Sequence, residues 1–262
     1  MAACYDEAYY GTDRKKFFSA AEAAVAFLTR RKWKRLEPLL APGGPLLDIG
    51  CGRGTLLRVA RSHGVEAFGV ERPSPVGHAL PDVFERPLRD CAFPDGHFQL
   101  VVLWHVLEHL PHPAETLGEV HRILRPGGWL SLAVPNFGGA QSRASGARWF
   151  HRDLPRHLWH FRGPALERLL QGKGFRVARR GTFSLEYDGF GTLQSWMNRA
   201  FRDDNGLYAV LQGESGFSVP TRLARLTAAA ALALPALGSA LWDAARGQGG
   251  TLTLTAQKPS AG

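Results

Sequence analysis

An α/β fold with a largely parallel sheet is predicted by three features of this 262-residue chain. Short apolar runs alternate with amphipathic, helix-like segments. The first run leads into a glycine-rich turn, and the next ends in an acid. Such alternation makes βαβ units, because parallel neighbouring strands need a long crossover and a helix supplies it.

The elements follow in order. A basic helix is predicted from about Arg14 to Leu40, stopping before Pro42-Gly43-Gly44-Pro45. Strand-like runs recur at residues 46–49, 66–70, 98–103 and 129–134, with helices over 55–63 and 114–124. A helix over 164–172 precedes a strand that begins at Phe175 and runs on to Leu185. The last strand, 251–257, alternates threonine with apolar residues after Gly249-Gly250. Residues 187–248 are too many for a loop without structure and read as a helical insertion. The expected division is a basic segment (1–44), a core (45–186 and 249–258) and the insertion (187–248).

Residues 46–57 read LLDIGCGRGTLL: a strand, a loop with Gly50, Gly52 and Gly54, and a helix start at Thr55. Glycine permits positive φ and a close backbone approach, and the helix N-terminus offers free N–H groups to an anionic part of a ligand. Glu71 follows Gly50 by twenty-one positions, at the end of the next strand, where an acid grips ribose hydroxyls. Together these point to a nucleoside-type cofactor. A nicotinamide fingerprint would need its third glycine one residue later, where Thr55 stands.

With this loop, Glu71, WHVLEHL (residues 104–110) and RPGGWLSLAVPN (125–136) in order, the chain resembles the class I S-adenosylmethionine-dependent methyltransferases. DLPRHLWHF (153–161), a helix and then Gly174-Phe175 resemble the bacterial branch beside the ubiquinone-type enzymes. The resemblance implies a Rossmann-like seven-stranded sheet, mostly parallel with an antiparallel last strand, its final hairpin interrupted by the insertion. It implies S-adenosyl-L-methionine as cofactor. Asp48, Gly50, Cys51 and Gly52 would line the methionine end, with Gly54 packing the helix onto the strand. Glu71 would take the ribose and Arg72 would lie beside the adenine. The family's adenine-reading acid is replaced by Pro87, so Leu88 backbone or Asp90 stands in. Trp104 and His105 would sit near the transferable methyl, and Glu108-His109 is a structural pair.

Methyl transfer to oxygen or nitrogen must dispose of the acceptor's proton, and histidine suits that near pH 7. Eight of the ten histidines lie between His97 and His160. His157 is the leading base candidate, with His105 and His160 beside it. Residues 149–161 mix aromatic, histidine and arginine side chains, as an acceptor pocket requires. His105, His109 and His112 have tempting spacing, but Pro111 and Pro113 break a helical face and no HExxH is present, so no metal is expected.

The formal charge of +9 allows attraction to phospholipid or nucleic acid, though most arginines are scattered. TRRKWKR (29–35) suits a water–lipid interface, with Trp33 half-buried there. The seventeen uncharged residues 226–242 fall short of the ~20 a spanning helix needs, and read as a surface element, lid or dimer contact. No RNA-binding module is visible, which disfavours nucleic acid. Cys4, Cys51 and Cys91 form no CxxC pair and fit reduced thiols; the N-terminus shows no secretory pattern. The expectation is a cytoplasmic methyltransferase, peripheral to the inner face of the membrane, acting on a small hydrophobic or lipid-linked acceptor. Alternatives are a non-catalytic cofactor-binding partner and a nucleic-acid methyltransferase.

Overall fold

The computed structural model describes residues 18–73, 77–213 and 216–260; side chains of 18–24 are outside that description. Cys4, the N-terminal leader reading and the start of the basic helix at Arg14 therefore lie outside the described residues.

Seven strands form one sheet in the order β3-β2-β1-β4-β5-β7-β6. They are β1 (Leu46–Ile49), β2 (Ala67–Glu71), β3 (Val83–Glu85), β4 (Phe98–Trp104), β5 (Leu124–Pro135), β6 (Arg176–Gly181) and β7 (Thr251–Gln257). Pairing is parallel from β3 through β5; β7 runs antiparallel to both β5 and β6. Helices α1 (Phe18–Leu36) and α2 (Thr55–Ser62) cover one face, and α3 (Pro113–Ile123) and α5 (Gly163–Gly172) the other. A short α4 (Ala140–Ser145) follows β5. The central strands are buried on both sides, which is why they read as unbroken apolar runs.

Three departures from the sequence reading have local causes. Strand β3 was not foreseen: three half-buried residues at a sheet edge carry too little periodicity. Strand β5 begins at Leu124, ahead of Pro126-Gly127-Gly128, because Leu124 pairs with Phe98 across a register shift. Strand β6 stops at Gly181, short of Leu185.

Trp33 corrects the expectation for the basic cluster. It is 2% exposed, packed with Leu36 against Leu57 and Ala60, its ring 5.1 Å from that of His63. The α1 face carrying Arg30, Arg31, Lys34 and Arg35 is exposed, but its tryptophan belongs to the core.

Residues beyond β6 form α6 (Asp188–Phe201), α7 (Gly206–Gln212) and α8 (Val219–Ala245). Helix α8 continues through Pro235 and spans 27 residues, so by length and composition alone it could cross a membrane, unlike the uncharged run read from sequence. It also packs along α6, burying Ala236 and Ala240, while Leu223, Leu234 and Trp242 stay exposed. Near its start the buried Arg225 pairs with Asp203, its guanidinium 4.7 Å from the Phe201 and Phe217 rings.

Asp188 ties this helical layer to the sheet. Fully buried, it accepts from the Gly250 N–H at 3.0 Å and from the Thr251 hydroxyl. Gln141 donates to the Asp188 carbonyl and to Thr192, and Trp149 Nε1 donates to Gln141 Oε1 at 2.7 Å. Truncating the carboxylate leaves two buried donors unpaired. We expect Asp188→Ala to destabilise the fold by about 3 kcal/mol in denaturant titrations, and a loss under ~0.5 kcal/mol would contradict this role.

Candidate functional site

The β1–α2 loop is held by its own backbone. Gly50 and Cys51 N–H groups donate to the Val70 carbonyl, and Gly54 N–H to Cys51. Gly50, Gly52 and Gly54 all have positive φ. A Cβ on Gly50 would stand 2.2 Å from Val106 Cγ2, so β4's following turn can close over the loop only at glycine. Gly52 instead faces open space. Its N–H donates to Glu71 Oε2 at 2.8 Å, while Glu71 Oε1 accepts from Arg72 N–H. A solvent-facing glycine cradle with a carboxylate at its rim fits a nucleoside-containing cofactor with vicinal hydroxyls.

Asp48 lies beneath the loop, 7% exposed; burial and nearby Glu71 push its pKa up to about 7, against the pull of Lys32. Cys51 turns its sulfur toward Gly69, so its backbone and not its thiol lines the loop, and burial pushes that thiol's pKa up. Buried Leu88 opens a 3-10 turn after β3; Asp90 in that turn is exposed, 3.6 Å from Arg89. In register, Glu85 stands beside Glu71, which puts this turn on the Glu71 side of the loop.

A cavity of about 280 Å³ joins Gly50 to the histidine-rich run. Trp104, His105 and Val106 form its floor. Glu108, His109, His151, Asp153, Arg156 and His157 enter from the sides, and Phe150, Tyr187 and Tyr208 complete the wall. Three contacts shape it. Leu158 and Trp159 N–H groups donate to the Glu108 carbonyl, so the 153–161 run is clasped to the turn after β4. His105 adopts φ +55, rare for a side chain of its size, and its N–H donates to Ala133. Its ring stacks on Tyr187 with centroids 3.8 Å apart.

The electrostatics favour neutral imidazoles. Burial, with Lys32 adding to it, lowers the His105 pKa to about 3; burial, with the neighbouring His105 and His157 adding to it, does the same to His151. Burial also lowers that of His157, opposed by Glu108. His157 Nδ1 lies 2.8 Å from the His151 carbonyl and so carries the proton, leaving Nε2 as the lone pair, 3.7 Å from Asp153 Oδ2. Glu108 is 1% exposed, and neither of its carboxylate oxygens accepts a hydrogen bond; burial raises its pKa.

The structure thus brings His105 and His157 together with Gly50 and Trp104. It does not bring His160: that ring lies outside the cavity, its Nε2 2.9 Å from the Arg152 carbonyl and its face against Phe137 and Trp149. Leu88 and Asp90 also lie outside the cavity. Glu108 holds the 153–161 run through its carbonyl, while its carboxylate, which accepts no hydrogen bond, has His105 Nδ1 3.5 Å from Oε1. His151 belongs to the 149–161 run expected to line an acceptor pocket; Tyr187 and Tyr208 were not singled out, and no spacing rule marks them. A second cavity, of about 150 Å³, lies between α1 and the sheet, lined among others by Arg31, Arg35, Trp104 and Tyr187.

The methyltransferase-domain family profile matches residues 21–179. A tRNA U34 carboxymethyltransferase from Syntrophotalea carbinolica is 32% identical over 162 residues, 56% of this chain and 50% of the relative. A ubiquinone biosynthesis O-methyltransferase from Pseudomonas aeruginosa is 31% identical over 105 residues, 36% of this chain and 45% of the relative. The chain therefore spans about half the length of these curated relatives. A solved SAM-dependent methyltransferase from Archaeoglobus fulgidus shares the fold, with TM-score 0.56 and 20% identity over 89% of this chain and 94% of that one. With the sheet order, the glycine cradle and the family match in place, the chain belongs to the methyltransferase-domain family and has its class I fold.

Proposed function

We propose that the chain methylates a small, largely apolar or lipid-linked acceptor seated in the 280 Å³ cavity. One observation carries this reading: a single cavity reaches from the glycine cradle to a wall of aromatic, histidine and carboxylate side chains. When bound, S-adenosylmethionine supplies a methyl already activated on a sulfonium, which leaves the protein little covalent chemistry. The chain's residues then align the acceptor, exclude water and accommodate its proton, and positioning alone is worth about 7–11 kcal/mol.

In this proposal Asp48, Gly50, Cys51 backbone and Gly52 hold the methionine end, and Glu71 holds the ribose. Arg72 and the Leu88 backbone lie along the adenine. Trp104, its Nε1 tied to Ser131 Oγ at 3.1 Å, and His105 flank the methyl. Phe150, Tyr187 and Tyr208 grip a ring, while Glu108 and His157 stabilise loss of the acceptor's proton. The ubiquinone-type relative supports a hydroxylated aromatic head group. The tRNA-modifying relative, with the +9 charge, favours a nucleic-acid acceptor as second reading. The small, aromatic-walled cavity supports the first. Labelled-methyl assays against hydroquinone- or catechol-type acceptors and against total tRNA separate the two, with label expected in the small molecules.

Glu71→Ala should weaken S-adenosylhomocysteine binding at least tenfold by calorimetry, since both ribose hydroxyls lose their acceptor. Wild-type binding no tighter than that of NAD(H) would contradict the assigned cradle. Affinity should also depend on pH. A cationic methionine end favours ionised Asp48, whose pKa near 7 means protonation competes below neutrality. Binding should be severalfold weaker at pH 6 than at pH 8, and the difference should vanish in Asp48→Asn.

His157→Ala should lower kcat by about 10²–10⁴ while changing S-adenosylhomocysteine affinity less than about twofold. Equal loss of both would make its role structural.

The exposed basic face of α1 and the apolar outer face of α8 are also proposed to hold the protein on an anionic membrane surface, each cation contributing about 1 kcal/mol. Flotation with anionic vesicles is expected at low salt and should fade as salt rises or when Arg30, Arg31, Lys34 and Arg35 are neutralised. Absence of flotation at low salt would leave α8 a lid or dimer element.

A further inference from the structure

Glu108 is the least expected group in the cavity. It sits in a 3-10 turn, Leu107–His109, directly after β4, and its carboxylate is buried with no hydrogen-bond donor on either oxygen. A buried carboxylate without a hydrogen-bond donor is costly, and such groups are normally paired or bound to a cation. Here His105 Nδ1 lies 3.5 Å from Oε1 without making a hydrogen bond. The neighbouring Arg156 donates from Nε to Asp153 Oδ1 at 3.0 Å.

Two imidazoles face the same point. One ligand atom from each of Glu108, His109 and His157 lies within 4.8 Å of the other two. In both histidines Nδ1 sits against a backbone carbonyl, His109 at 3.0 Å from Arg156 and His157 at 2.8 Å from His151. A carbonyl only accepts, so each Nδ1 carries the hydrogen and each Nε2 keeps its lone pair. Proteins orient histidine ligands to a metal in the same way, one ring nitrogen anchored on a carbonyl and the other left to bind the ion. The clasp between residues 153–161 and the turn after β4 holds both histidines in place, since Leu158 and Trp159 donate to the Glu108 carbonyl.

We propose that Glu108, His109 and His157 bind a divalent first-row transition-metal ion of the zinc or cobalt type, with at least one coordination position open to the cavity. Two imidazoles and one carboxylate suit such an ion better than magnesium or calcium, which prefer all-oxygen sets. Bonds of ~2.1 Å would need the ligand atoms to close to roughly 3.4 Å apart, a shift within side-chain rotation. The open position would take an acceptor oxygen or nitrogen in the cavity that Gly50 and His105 also line. This role deepens the proposed acceptor site and rests on it; metal binding itself does not. It reverses the expectation from sequence, where Pro111 and Pro113 argued against a helical His105–His109–His112 face. Only His109 is common to the two sets; Glu108 and His157 complete this one, the latter brought in by the fold.

The test is a titration of chelator-treated full-length protein with cobalt(II), read by visible d–d absorption and calorimetry. We expect a saturable band at one ion per chain. Glu108→Gln and His157→Ala should each weaken binding at least tenfold, and His112→Ala, on the exposed start of α3, should leave it unchanged. S-adenosylhomocysteine binding by each variant reports that it is folded. The site is overturned if wild type shows no saturable cobalt binding, or binds it as tightly as a folded Glu108→Gln/His157→Ala double variant. Cobalt binding without transfer to small hydroxylated acceptors would sustain the site and refute the acceptor reading.

Discussion

The clasp between the turn after β4 and residues 153–161 is the constraint on which the site depends. Backbone donors from Leu158 and Trp159 converge on one carbonyl, that of Glu108. Trp159 Nε1 adds a bond to the Leu110 carbonyl at 2.9 Å, and His109 reaches back to Arg156. These bonds bridge some fifty positions of sequence, so two segments that could not form a pocket separately become opposite walls of one. The left-handed backbone at His105 belongs to the same construction. It turns the chain sharply off the end of β4, so that His105 reaches the floor and Glu108 a side wall.

The helical layer beyond β6 supplies the remaining wall. Asp188 fastens the start of α6 to the head of β7, and Gln141 links it to Trp149. Ser195 Oγ accepts from Phe150 N–H at 3.0 Å. Tyr187 and Tyr208 are thereby held against the histidine-rich run. Helix α8 stands behind, giving one face to α6 and leaving large apolar side chains outward. This layer therefore turns Tyr187 and Tyr208 inward to the cavity and the large apolar side chains of α8 outward.

Much of this was legible in the sequence, for reasons that can be named. Buried parallel strands must be apolar on both faces, so β1, β2 and β4 announced themselves within a residue or two. The glycine loop was legible because positive φ at Gly50, Gly52 and Gly54 restricts the residue type. Glu71 followed from its place at a strand end. Illegible features were those set by tertiary contact. Strand β3 is too short to show a period, and Pro126-Gly127-Gly128 hid the start of β5. Trp33 sat among cations and looked interfacial, yet the helix turned it inward. His157 and His160 both stood as base candidates, and only the fold puts His157 in the cavity and His160 outside it. Glu108 read as half of a structural pair with His109; that its carboxylate lacks hydrogen-bond donors shows only when its surroundings are known.

The central claim is that the glycine cradle and the histidine-walled cavity are two ends of one site. A crystal structure with S-adenosylhomocysteine bound tests it most directly. The account predicts the thioether sulfur beside Gly50 and His105, facing the cavity that holds Glu108 and His157, with the ribose on Glu71. A sulfur directed into the smaller cavity beneath α1, or a ligand bound away from Glu71, would contradict it.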